Sequence, residues 1–145
     1  MARVEDNTAD LLRLLDDNGI HITINEECNG TYYGRYAFVG MKREMHLCPG
    51  QSVDAIDHAT VRHEAVHAVQ HCVNTARGTA VNTPVIDIET LVDLVNEGLS
   101  EETVDYVKST YPEEHWGVEM EANLLEVTAT ADEIAEMFTE ACLGG

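Results

Sequence analysis

The sequence predicts an α+β fold: a small antiparallel sheet of about three strands, then a long helix, then a C-terminal helical subdomain. Three observations carry this. Period-two alternation is confined to residues 20–47, helical periodicity holds from about residue 52 almost to the C-terminus, and no repeat or long linker divides the 145 residues. One domain spanning 1–145 is expected, large enough to bury a core without help from disulfides or metal.

Residues 8–18, "TADLLRLLDDN", read as a short amphipathic helix with Leu11, Leu12, Leu14 and Leu15 inward and Gly19 as its stop. "IHITIN" alternates Ile20, Ile22 and Ile24 with polar residues, as a half-buried strand does. After the turn "EECNG", Tyr32–Val39 and Glu44–Leu47 read as two further strands, with Gly34 marking a bulge and Gly40 a turn. From Ser52 or Asp54 to about Asn74 the pattern is helical, with Ile56, Ala59, Val66, Val69 and Val73 as its apolar stripe. "RGTAVNTPV" reads as a surface loop. Helices follow at about 87–97 up to Gly98, 101–110 behind Ser100, 113–129 after Pro112, and 131–142, where Thr130 and Glu133 form a capping box.

Charge and cysteines narrow the setting. With 27 acidic against 8 basic side chains the net charge is −19, a field that repels nucleic acid and anionic lipid and draws cationic partners and divalent ions. Neither nucleic acid nor membrane is an expected partner. No run approaches the roughly 20 apolar residues of a bilayer span, and "MARVEDNTADLLRLL" lacks a signal-peptide core, so a soluble cytoplasmic protein is expected. Cys28, Cys48, Cys72 and Cys142 form no CxxC pair, and in that compartment four reduced thiols are expected, Cys28 and Cys48 being the pair best placed to approach each other.

The chemistry concentrates in "TVRHEAVHAVQH", residues 60–71. Residues four apart on a helix face the same way, so His63 and His67 can bring two imidazoles to one zinc ion. Glu64, one step round, is then placed as a general base toward a water on that ion. The competing reading is a polar helix face that spells HExxH by accident. Against it stand the apolar neighbours Ala59, Val66 and Ala68, beside which unpartnered imidazoles are disfavoured.

His71 extends the ladder but falls outside the site. It lies eight residues from His63, about 12 Å along the axis, whereas donors on one zinc sit roughly 3–3.5 Å apart. A further ligand is sought in "YPEEHWGVEMEANLLEVTA", residues 111–129. Glu119 and Glu121 lie about 200° apart around that helix, so at most one faces the metal. Glu121, among Gly117, Val118, Leu124 and Leu125, is the expected ligand, because an ionised carboxylate in apolar surroundings needs a metal or a cation. Glu119, near His115, Trp116, Asn123 and Glu126, reads as solvated.

"HEAVH" followed by "EMEAN" resembles the gluzincins, and among them the compact ImmA/IrrE-like and minigluzincin-type metallopeptidases of bacteria and their phages. The resemblance implies a zincin-like fold with one zinc ion per chain, bound by His63, His67 and Glu121, and Glu64 as general base. It also likens "TYYGRYAFVGMKREMHLCPG" to the small sheet whose edge strand aligns an extended peptide substrate. Oxyanion donors in such enzymes are a tyrosine or histidine near the third ligand, which leaves His115, Tyr111 and Tyr106 as candidates; Trp116 reads as an anchor for the Glu121 helix. The long interval from His67 to Glu121 adds two helices expected to cap the cleft.

The expected function is therefore zinc-dependent hydrolysis of peptide bonds, with basic substrates favoured by the anionic surface. The alternative is a zinc-stabilised interaction or regulatory protein with an occluded cleft. A third reading, an acidic decoy that mimics DNA, uses the charge but gains nothing from HExxH.

Overall fold

A computed structural model describes residues 3–24, 34–39, 42–47, 58–78 and 83–144. The chain is a mostly helical α+β protein in the element order α1, β1, β2, β3, α2 and then α3 to α6. The turn at 26–30, Gly40, the helix start at Ser52 or Asp54, and Cys28 and Cys48 lie outside the described residues.

Helix α1 (Arg3–Asp17) begins ahead of the expected residue 8 and buries Leu11 and Leu15, with Leu12 and Leu14 packed at the core's edge. It stops where Gly19 adopts φ +92°, a conformation that strains any residue with a Cβ, and a Cβ there would also lie 3.2 Å from the Arg43 guanidinium. That guanidinium donates to the Asn18 carbonyl at 2.6 Å, which ties the turn to the sheet.

Strands β1 (Ile20–Ile24), β2 (Gly34–Val39) and β3 (Lys42–Leu47) form one sheet in the order β1-β3-β2. β2 and β3 are antiparallel from Gly34 opposite Leu47 to Val39 opposite Lys42, an unbroken register that leaves no bulge at Gly34. β1 runs parallel to β3, with Ile20 opposite Arg43, so the sheet is mixed and the expected all-antiparallel sheet is corrected. Alternation along a strand reports which face is buried and not which neighbour it bonds. Ile20, Met45 and Leu47 are buried, with Ile22 and Tyr36 beside them, while His21 is exposed on the other face.

Helix α2 (His58–Arg77) lies on the inner face of the sheet and is enclosed on its other sides by the helices Trp116–Thr128 and Ala131–Cys142. Val61, Ala65, Val66, Ala68 and Val69 are all buried, more of the helix surface than a single stripe supplies. Asn74 of α2 accepts from the Thr83 N–H (3.2 Å) and hydroxyl (2.7 Å) and donates to the Thr83 carbonyl (2.9 Å), which docks the chain at Thr83 against α2.

Ser100 and Thr130 cap as read, while Asp87, expected as the first residue of its helix, is the cap ahead of it. Asp87 accepts from the Thr90 N–H ahead of α3 (Ile88–Gly98), Ser100 from the Thr103 N–H ahead of α4 (Glu101–Thr110), and Thr130 with Glu133 closes a capping box on α6 (Ala131–Cys142). The segment after Pro112 opens with a 3-10 turn, Glu113–His115, before α5 (Trp116–Thr128). Gly98 serves packing more than termination, since a Cβ there would meet Leu124 Cδ1 at 2.8 Å.

Two apolar clusters result. The larger joins α1, the sheet, α2, α5 and α6, with Phe138 its largest fully buried side chain. The smaller sets Leu91, Val95 and Val107 of α3 and α4 against Met120 and Leu124 of α5, with Tyr111 and Trp116 at its edge. A Cys72–Cys142 disulfide joins α2 to α6, correcting the expectation of four reduced thiols. No helix among the described residues is long and apolar enough to cross a membrane.

Candidate metal centre

His63 and His67 stand one turn apart on α2, their rings edge-on with centroids 4.9 Å apart. Helix α5 crosses α2 and lays Glu119 between them. Its Oε1 is 3.2 Å from His63 Nε2 and its Oε2 is 3.3 Å from His67 Nε2. One donor atom from each of the three side chains lies within 4.8 Å of the others. A tetrahedral zinc with bonds of about 2.0 Å holds its donors roughly 3.3 Å apart, so small adjustments would bring all three onto one ion.

Both imidazoles are oriented from behind. His63 Nδ1 faces Glu126 Oε1 at 2.7 Å, and Arg62 Nε donates to the Glu126 carbonyl at 3.0 Å, fastening that turn of α5 to α2. His67 Nδ1 faces Gln70 Oε1 at 2.8 Å. In each ring the acceptor at Nδ1 holds a proton there, so Nε2, the atom that faces the shared carboxylate, is the one free to give up its proton to a metal.

Glu121, the expected third ligand, is not in the cluster. It is fully buried and accepts from the Gln70 side chain (2.8 Å), the Val85 N–H (2.8 Å) and the Ile86 N–H (2.7 Å). The inference from apolar surroundings was sound in requiring a partner for this carboxylate, but backbone donors meet that need as well as a metal does. Glu119 stands beside the two histidines instead, on the face its offset of about 200° from Glu121 assigns to it. A legible signal existed: Glu119 and Glu126, seven apart, share one face of α5, and His63 lies between their two carboxylates.

Glu64 is 6 % exposed. Burial raises its pKa, opposed by the charges of His67 and His63, reinforced by Glu119 and opposed again by a hydrogen bond from the Tyr36 N–H. Burial works against a charged His63, but Glu119, Glu126 and Glu64 outweigh it and lift the imidazole to about 10. His67 is raised too: burial lowers it, Glu119 and Glu64 raise it more, and His63 opposes them. Burial would raise Glu119, yet the two histidines hold it down at about 2. Carboxylates thus surround the imidazoles in a pocket of negative charge, which protons or a divalent cation would neutralise.

Of the three oxyanion-donor candidates, Tyr111 is half-buried, and burial, then the nearby Glu119, Tyr106 and Glu64, raise its pKa. It sits at the C-cap of α4, and Trp116 Nε1 donates to its carbonyl at 2.9 Å. Tyr111 is thus close enough to the site to feel the Glu119 and Glu64 charges. Tyr106 is 55 % exposed and stacks edge-on with Tyr111, while His115 is exposed in the 3-10 turn. His71 stays outside the metal cluster, its Nδ1 2.7 Å from the Tyr36 hydroxyl; burial and Arg43 lower its pKa.

Comparison with protein-family models, with curated proteins and with solved structures found no match.

Proposed function

We propose that the protein is a zinc-dependent peptidase of the zincin type, with His63, His67 and Glu119 as ligands and Glu64 as general base. The observation that carries this is the convergence of His63 Nε2, His67 Nε2 and the Glu119 carboxylate, with both Nδ1 atoms already engaged. Two imidazoles and a carboxylate, with a fourth position left to water or substrate, form a donor set suited to catalytic zinc. Zinc bound there would polarise the scissile carbonyl and lower the pKa of a water from ~15.7 towards ~7.

The remaining steps belong to the chain. Glu64, its proton affinity raised by burial, accepts the proton of the attacking water and passes it to the leaving amine. The Tyr111 hydroxyl, held protonated, donates to the developing oxyanion. β2 is an edge strand in the order β1-β3-β2, and its Tyr36 N–H reaches Glu64, so that edge borders the site and suits an extended peptide. The net charge of −19 favours cationic peptides, with a preference that weakens as salt rises.

Purified protein is expected to hold one zinc per chain by elemental analysis, to lose it on His63→Ala, and to cleave an unstructured basic peptide in a chelator-sensitive way. A chain that takes up no zinc from a buffered solution refutes the proposal. Tyr111→Phe is expected to lower kcat about 10²-fold with zinc content unchanged, the usual loss for one oxyanion donor. Equal turnover by Tyr111→Phe removes that residue from the mechanism.

A second reading, zinc binding without general proteolysis, is favoured by the enclosure of the site: Glu64 is 6 % exposed, and the side chains of His63, His67 and Glu119 are 13–14 % exposed. Under it chelation lowers the melting temperature while a broad peptide library stays uncut.

A further inference from the structure

We infer that Gln70 and Glu121 form a positioning relay that fixes His67 as a metal ligand from behind and joins it to the chain entering α3. The inference rests on the metal centre proposed above and assigns to it two residues that do not touch the ion.

Gln70 and Glu121 are both fully buried. The Gln70 amide nitrogen donates to the Val118 carbonyl at 3.1 Å and to Glu121 Oε1 at 2.8 Å. Both its hydrogens are used, so the amide cannot be flipped, and its oxygen must face His67 Nδ1, 2.8 Å away. That oxygen accepts, Nδ1 therefore carries the proton, and Nε2 is left as the ligand atom. A carboxylate behind the amide polarises it and makes its oxygen a stronger acceptor, which in turn raises the basicity of the imidazole.

Glu121 is itself held by the Val85 and Ile86 N–H groups, just ahead of the Asp87 cap of α3. One line of hydrogen bonds thus runs from the backbone at 85–86 through Glu121 and Gln70 to His67. Closing the core does not explain it. A leucine would fill the space of Gln70, whereas orienting His67 needs an acceptor at this position three residues along α2.

The test is zinc affinity by competition with a chromophoric chelator, together with the visible absorption of the cobalt(II)-substituted protein. Gln70→Leu is expected to weaken zinc binding about 10–100-fold, the usual loss for a group orienting a ligand, and to alter the cobalt spectrum. The exchange Q70E/E121Q keeps an acceptor for His67 and a donor from residue 121 to residue 70, and it is expected to bind zinc at least about 10-fold more tightly than Glu121→Gln alone. Folded Gln70→Leu with wild-type affinity and an unchanged spectrum overturns the relay and leaves the metal centre standing. If Gln70→Leu does not fold, the exchange decides, and affinity no better than that of Glu121→Gln overturns the relay. Wild-type protein that binds no zinc overturns the metal centre and the relay with it.

Discussion

Glu64→Gln is expected to leave zinc content at one per chain while lowering peptide cleavage by about 10²–10⁴-fold, the range a general base contributes. The substitution isolates the base because it changes little else. Glutamine has the same length, and its carbonyl oxygen can still accept the hydrogen bond that Glu64 takes from the Tyr36 N–H. The site loses a negative charge that burial already disfavours, so the melting temperature is expected to hold or rise. Glu64 is absent from the ligand cluster of His63, His67 and Glu119, and metal uptake is expected to survive for that reason. Paired assays of zinc stoichiometry and turnover on one preparation check both halves. Cleavage at the wild-type rate by Glu64→Gln removes Glu64 as the general base.

Short-range signals were the readable ones. Ser100 and Thr130 cap the helices that follow them, because a capping side chain and its target N–H lie within three residues. The exclusion of His71 followed from helix rise alone, and it bonds Tyr36 instead. What escaped was pairing between distant segments. Nothing local in β1 distinguishes β2 from β3 as its neighbour, and Ile20 opposite Arg43 is a tertiary fact. Cys72 and Cys142 lie 70 residues apart and meet only because α6 packs on α2. The carboxylate beside the histidines belongs to the same class: geometry within α5 showed that Glu119 and Glu121 diverge, but which of them reaches His63 and His67 depends on the Gln70 side chain and the Val85 and Ile86 N–H groups that capture Glu121. Tyr111, at the end of the α3 and α4 insertion, feels the Glu119 charge, which is likewise a tertiary fact.

Glu119→Ala and Glu121→Ala are expected to fail in opposite ways. Glu119 approaches both histidines with a side chain 13 % exposed, and its loss leaves a shallow gap that water can enter. The metal-free protein loses the pairing of this carboxylate with the two imidazoles, which Glu126, Glu64 and entering water replace in part, so a smaller fall in melting temperature than that of Glu121→Ala is expected, while stoichiometric zinc disappears. With it goes the stabilisation that zinc supplies, about 2.7 kcal/mol when free metal is at 100 times Kd. Glu121 is fully buried, and its removal strands the Gln70 amide and the Val85 and Ile86 N–H groups. Each unmet buried donor costs about 1–3 kcal/mol. Because Val85 and Ile86 are only half-buried, water recovers part of this, and a net loss of about 2–4 kcal/mol is expected even without metal. In a chain of this size that is roughly a 10 °C fall in Tm. Thermal melts in excess chelator separate the two residues, and zinc titration completes the comparison. Loss of zinc in Glu121→Ala with an unchanged metal-free Tm, beside full zinc binding in Glu119→Ala, would return the ligand role to Glu121, since a carboxylate bound to metal leaves no backbone donors stranded when it is removed.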